Sequence, residues 1–179
     1  LRDKDRPFLG ICLGLQLLDH IVLVLLDRAY NNKMMMYRIN TGNRGLVKLE
    51  WIDYLFLCIN SVVEWQFTCH VIDIVLSSPN FAWRLHDLGL LNTLPALYLI
   101  FAIDDAFYAP FHRALHHRSV YQYIHKHHHR QVVPTRGNTD AINVHPFEFI
   151  VGEYNHVLAV FLVSRYMFDV HALACLLFL

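Results

Sequence analysis

The chain has 179 residues, 55% hydrophobic and only 17% charged, with 15 basic against 15 acidic side chains. That length suits one domain, and a mean hydropathy of +0.31 leans towards a membrane protein. Balanced charge, without a basic patch interleaved with aromatics, argues against a nucleic-acid partner. Cys12, Cys58, Cys69 and Cys175 lie far apart in apolar runs with no C-x-x-C spacing. They read as buried thiols of a reducing or membrane setting, not as a disulfide framework.

Four apolar stretches predict helices. The first, about 7–27, has roughly the ~20 residues that a span needs. It carries Gln16, Asp19 and His20, so an interfacial helix stays open beside a spanning one. No small-residue cleavage site follows it, which speaks against a cleavable signal peptide. Next comes a basic segment, 28–48, with Arg28, Lys33, Arg38, Arg44 and Lys48 and no acid. The second helix, 51–76, has Asp53, Glu64, His70 and Asp73 scattered through it, and a short turn at 77–80 leads to a third over about 88–107, with Pro95 as a possible kink. The fourth begins near Val157 and takes in Arg165, Asp169 and His171. Polar groups at membrane depth are costly unless they face protein or a cavity. Their number therefore predicts a packed all-α integral membrane bundle, with an all-α soluble protein as the alternative. The chain stops at Leu179 inside the apolar run ALACLLFL, so a C-terminally truncated fragment is expected.

Eight of the thirteen histidines fall between residues 112 and 145. His112 and His116 form H-x3-H; His125, His128 and His129 form H-x2-H-H. On a helix, spacings of three and four put side chains on one face, with Cβ atoms roughly 5–6 Å apart. Imidazole is the commonest neutral metal ligand. Without an ion, clustered rings would repel one another as they protonate near pH ~6.5. An exposed histidine tract is the plainer reading, but it has no need of the surrounding frame of Phe107, Tyr108, Phe111, Leu115, Tyr121 and Ile124. His117 and His127 fall outside the box spacing and are expected to be outlying or solvent-facing. His156 and His171 are expected to be core or interfacial residues. Residues 132–139 read as a loop. His145-Pro146-Phe147-Glu148 reads as a helix start, with Pro at the first position and Glu at the third. His145 is then either a cap or a ligand. The basic residues of this region, Arg113, Arg118, Lys126, Arg130 and Arg136, put it on the same cytosolic side as 28–48 by the positive-inside rule.

HRALHH at 112–117, YQYIHKHHH at 121–129 and HPFE at 145–148, with Asp105 seven residues before the first histidine, resemble the sterol desaturase/fatty acid hydroxylase superfamily. The motifs are most similar to those of sterol 4-methyl oxidase-like members. The likeness is dense over about 100–150 and only general elsewhere. It implies one fatty acid hydroxylase-like membrane domain over 1–179, with its histidine-box region at 104–148. It also implies a non-haem diiron centre, with zinc as a substitute, on the cytosolic face of the endoplasmic reticulum membrane. Such enzymes use O2 and electrons, usually from a cytochrome b5-type donor, to hydroxylate or desaturate a lipid, here a sterol or a long-chain fatty acyl lipid. By the same resemblance His112, His116, His125, His128, His129 and His145 are the metal ligands, and Asp105 and Glu148 orient their rings. Two departures stand out. Pro110 replaces an aromatic found in many relatives, and the family's further C-terminal histidine box has no counterpart here. The fragment is therefore expected to be inactive and the activity to belong to a longer parent. A histidine-rich metal-binding or metal-transporting membrane protein, and a non-catalytic family member, are the alternatives.

Overall fold

The computed structural model describes residues 10, 13–14, 16–18, 20–26, 48–130 and 138–178, without the side chain of Leu176. Cys12, Asp19, the basic residues from Arg28 to Arg44, Arg136 and most of the predicted loop at 132–139 lie outside the described residues. The first apolar stretch is described in part, as a short apolar helix, Gln16–Leu26.

Three long helices carry the fold: α1 (Trp51–Ser77), α2 (Leu90–Leu115) and α3 (Pro146–Tyr166). Each is long and apolar enough to cross a membrane. At a rise of ~1.5 Å per residue they run roughly 30–40 Å, against a hydrocarbon layer of ~30 Å. A short helix, α4 (Ala172–Phe178), follows. The chain is an all-α bundle of membrane type.

Helix boundaries differ from expectation in three places. The third helix continues past 107 to Leu115, with both Pro95 and Pro110 inside it. An interior proline removes one ladder bond; here the helix still reaches the first histidine box, and the N–H of His116 closes it on the carbonyls of His112 and Arg113. The fourth stretch is not one helix from Val157. It starts at Pro146, as the H-P-x-E signal implies, and ends at Tyr166. The link after α1 is also longer than the turn at 77–80. It contains a two-residue strand, β1 (Phe81–Ala82), paired in parallel with β2 (Val170–His171) in the register Phe81↔Val170, Ala82↔His171. The N–H of Val170 donates to the carbonyl of Asn80 at 3.0 Å. This non-local ladder, invisible to local pattern, takes Asp169 and His171 out of helix.

The core lies where α2, α3 and α4 meet. Ala96 and Ile100 of α2 pack with Ala159, Val160 and Val163 of α3 and with Ala174 and Cys175 of α4. Fully buried alanines at 96 and 159 let the backbones approach closely, the usual device where lipid supplies no hydrophobic drive between helices. Outward faces stay apolar: Leu90, Leu91, Leu94 and Tyr98 are each at least 60% exposed. Such a stripe suits lipid and does not suit a soluble bundle with buried helices. Cys58 sits on an exposed face, contrary to the buried thiol expected; Cys69 is half-buried, Cys175 is buried, and all three are free.

The β1–β2 pair ties together the link that follows α1 and the segment that follows α3. At the other end, the start of α1, the end of α2 and the start of α3 come together around the histidine region.

Candidate metal centre

The last turns of α2 build one wall. Asp105, Tyr108, Ala109, His112, Arg113 and His116 line an open cavity of about 540 Å³. These positions recur at three- and four-residue steps, so one helical face presents them all. Asp105 thus shares the His112 face, as its spacing implies, but it is exposed and has no hydrogen-bond partner among the described residues. Tyr108 tilts over His112, with ring centroids 5.6 Å apart.

The second box is not helical as a whole. After the single turn Arg118–Tyr121, residues 122–127 form successive turns, and His128–Arg130 is a 3-10 turn. Lys126 N–H reaches the carbonyl of Tyr121 at 2.8 Å. These turns bring His125 and His129 back over the end of α2.

Four imidazoles are then linked through their Nε2 atoms in a chain of close contacts. His112 and His116 are 3.3 Å apart, His116 and His125 3.1 Å, and His125 and His129 2.9 Å. His112, His116 and His125 each offer a nitrogen within 4.8 Å of the others, a group that could hold a metal ion. Ligand nitrogens around one first-row ion, bound at ~2.0–2.1 Å, sit roughly 3.0–3.4 Å from each other. The donor set therefore fits a metal ion.

His125 is the pivot. It is fully buried, and its Nδ1 lies 2.9 Å from Oε1 of Glu148, itself 5% exposed. A carboxylate at that nitrogen selects the tautomer with hydrogen on Nδ1, leaving the Nε2 lone pair facing the cluster. Burial, with His129 and His116 alongside, pushes the His125 pKa down to about 4. The ring is thus neutral and ready to ligate at neutral pH. Burial likewise holds His128 and His145 below the usual histidine range.

Two expected ligands stand apart. His128 stacks on the far side of His125, centroids 5.4 Å apart and 18° from parallel. It lines a separate cavity of about 350 Å³ with Asp104, Tyr108, Glu148, Glu153 and His156. His145 caps α3, its Nδ1 accepting the N–H of Phe147 at 3.2 Å, and its ring edge meets Phe56. The capping contact is one of the two roles open to His145 from sequence. His117 caps the turn that begins at Arg118, its Nδ1 2.7 Å from Ser119 Oγ.

Other partners were not legible from spacing. Asp104, adjacent to the expected Asp105, accepts from Asn155 Nδ2 at 2.6 Å and pairs with His156 Nδ1 at 3.0 Å. His127 is anchored to Asp53 and Asn143, each at 3.0 Å from its Nε2. The one available signal for Asp53 is an acid near the start of an otherwise apolar helix.

A helical bundle of membrane type, with imidazoles converging where its helices meet, defines a membrane protein with a candidate metal centre. The chain is similar to a Dictyostelium discoideum protein that bears the provisional name methylsterol monooxygenase: the two are 39% identical over 82 residues, 44% of this chain and 30% of that protein. The match thus spans about three tenths of the relative's length. No family model matches the chain, and no solved structure does.

Proposed function

We propose that this chain carries the metal-binding part of a membrane-bound non-haem iron oxidoreductase that uses O2 to hydroxylate or desaturate a lipid. The observation that carries this reading is the convergence of nitrogens from His112, His116 and His125, with His129 Nε2 joined to His125 at 2.9 Å. The name of the Dictyostelium relative supports a lipid-oxidising enzyme and favours a sterol over a long-chain fatty acyl lipid as substrate. The histidine-box resemblance supports iron in a two-metal centre, with zinc able to substitute. It also supports the endoplasmic reticulum membrane, a cytosolic site, a cytochrome b5-type donor, and one domain over 1–179 with its site at 104–148.

When bound, a diiron centre supplies the oxidising power to break an unactivated C–H bond with O2 and electrons. The rest falls to the chain. Glu148 holds the Nδ1 proton of His125 and so aims its lone pair. Tyr121 stacks on His116 with centroids 5.8 Å apart, limiting that ring's rotation. His112, His116 and His125 would hold one ion, with His129 beside His125 as a further ligand; His128, stacked on His125, is the candidate ligand for a second. The open cavity beside His112 and His116 is where a lipid chain would reach the centre. Asp105 at its wall is placed to take a hydrogen bond from a group bound there.

A transporter would place its ligands at mid-span, facing a water-filled path. Here the rings lie at the end of α2 and beyond it, which favours the oxygenase. The test is metal analysis of detergent-purified protein, together with O2- and electron-dependent turnover of sterol and fatty acyl substrates by the full-length protein that carries these residues. Iron bound in wild type and lost on His112→Ala, His116→Ala, His125→Ala and His129→Ala is expected, with lipid oxidation following iron content. Wild-type iron in all four variants would refute the ligand set; zinc movement across vesicles without lipid oxidation would favour transport.

A further inference from the structure

We infer that Asp53 is a positioning residue of the histidine centre, clamping His127 and Asn143 together so that His125, His129 and Glu148 stay aligned. The inference rests on the proposed metal centre and concerns a helix outside the histidine-box region. Asp53 lies in the first turn of α1 and is 3% exposed. Its Oδ1 is 3.0 Å from His127 Nε2 and accepts from Asn143 Nδ2 at 2.9 Å. His127 Nε2 is also 3.0 Å from Asn143 Oδ1, which closes a three-residue ring of contacts. Arg130 reaches both carboxylate oxygens at 3.4 and 3.5 Å, and pairs with Glu50 at 2.9 Å. The edge of Phe56 closes over the His127 ring at 4.7 Å.

The placement of these partners gives the clamp its consequence. His127 lies two residues from both His125 and His129, in a segment of turns without a regular backbone ladder. There a side-chain anchor, more than backbone pairing, sets how the segment is rolled. With His127 held against α1, His125 and His129 face α2. Asn143 lies in the segment that enters α3, five residues before Glu148. One carboxylate therefore references both a ligand segment and the carboxylate that orients His125. Seven residues along α1, Asn60 reinforces this grip: its Nδ2 donates to the carbonyls of Ile142 at 2.7 Å and Val144 at 2.9 Å.

The test uses purified protein loaded with Co²⁺, whose visible absorption reports ligand geometry, beside the helicity of the metal-free protein. Asp53→Asn and His127→Ala are expected to weaken Co²⁺ binding about 10- to 100-fold, the usual effect of removing a group that orients a ligand. Both should shift the cobalt spectrum while helicity holds. His127→Gln, which keeps an N–H for Asp53, is expected to restore most affinity and the wild-type spectrum. Wild-type affinity and spectrum in both Asp53→Asn and His127→Ala would overturn the inference and leave the metal centre standing. So would a His127→Gln no better than His127→Ala, and this pair decides the matter if Asp53→Asn does not fold. A wild-type protein that takes up no cobalt overturns the centre and the inference together.

Discussion

His125 and Glu148 meet at 2.9 Å, imidazole Nδ1 to carboxylate Oε1, both buried and 23 residues apart in sequence. This pair joins the second histidine box to the first turn of α3 and favours the His125 tautomer with hydrogen on Nδ1. The other oxygen of Glu148, Oε2, is buried with no hydrogen-bond partner among the described residues.

Glu148 should therefore matter to metal affinity more than to folding. Glu148→Leu removes the partner of His125 and is expected to weaken Co²⁺ or Zn²⁺ binding about 10- to 100-fold. Glu148→Gln keeps a carbonyl oxygen for the Nδ1 proton and should lose less. Competition against a chelator measures both, and equal affinity in Glu148→Leu and wild type would remove Glu148 from the centre.

His145→Ala separates cap from ligand. Loss of an N-cap costs ~1 kcal/mol of stability, so a modest fall in melting temperature with metal content preserved is expected. A loss of bound metal comparable to that of His125→Ala would make His145 a ligand instead.

Acid should destabilise the metal-free protein. The folded pKa of His125, about 4, lies below its ordinary 6.5, so the unfolded chain takes up that proton first. The stability linked to this ring is whole above pH ~6.5 and is lost as pH falls towards 4, on the order of 3 kcal/mol in all. Denaturation of metal-free protein across this window should show the slope, and His125→Phe should reduce it. Metal loading should fail over the same range, since a protonated ring cannot ligate.

The helix interface predicts a contrast within the bundle. Ala159 is fully buried, whereas Leu94 is 60% exposed on the outer face of α2. Ala159→Leu should overpack the contact and cost roughly 1–3 kcal/mol, while Leu94→Ala in detergent should stay within about 0.5 kcal/mol. Thermal melts of the two variants read the difference, and a neutral Ala159→Leu would mean that α2 and α3 do not pack closely there.

Much of this molecule could be read without coordinates. Spanning-length apolar runs, the helix start at His145-Pro146 and the face shared by Asp105, His112 and His116 are local properties, set by composition and helical period. Even so, the period misled at 122–130, where the i, i+4 pair His125 and His129 meets through turns instead of a helix. It also misled at 166–171, where strand pairing breaks the apolar run.

Residue chemistry and spacing named the imidazoles that could ligate, because those signals sit within a few residues of one another. Which rings actually meet, that His129 joins the cluster while His128 turns to another cavity, depended on how the turns after Tyr121 fold back on α2. The supporting contacts were further still from sequence view: Arg130 and Asn143 reach Asp53 across separations of 77 and 90 residues. No periodicity encodes such pairs; they exist only once packing has brought the start of α1 against the histidine segment.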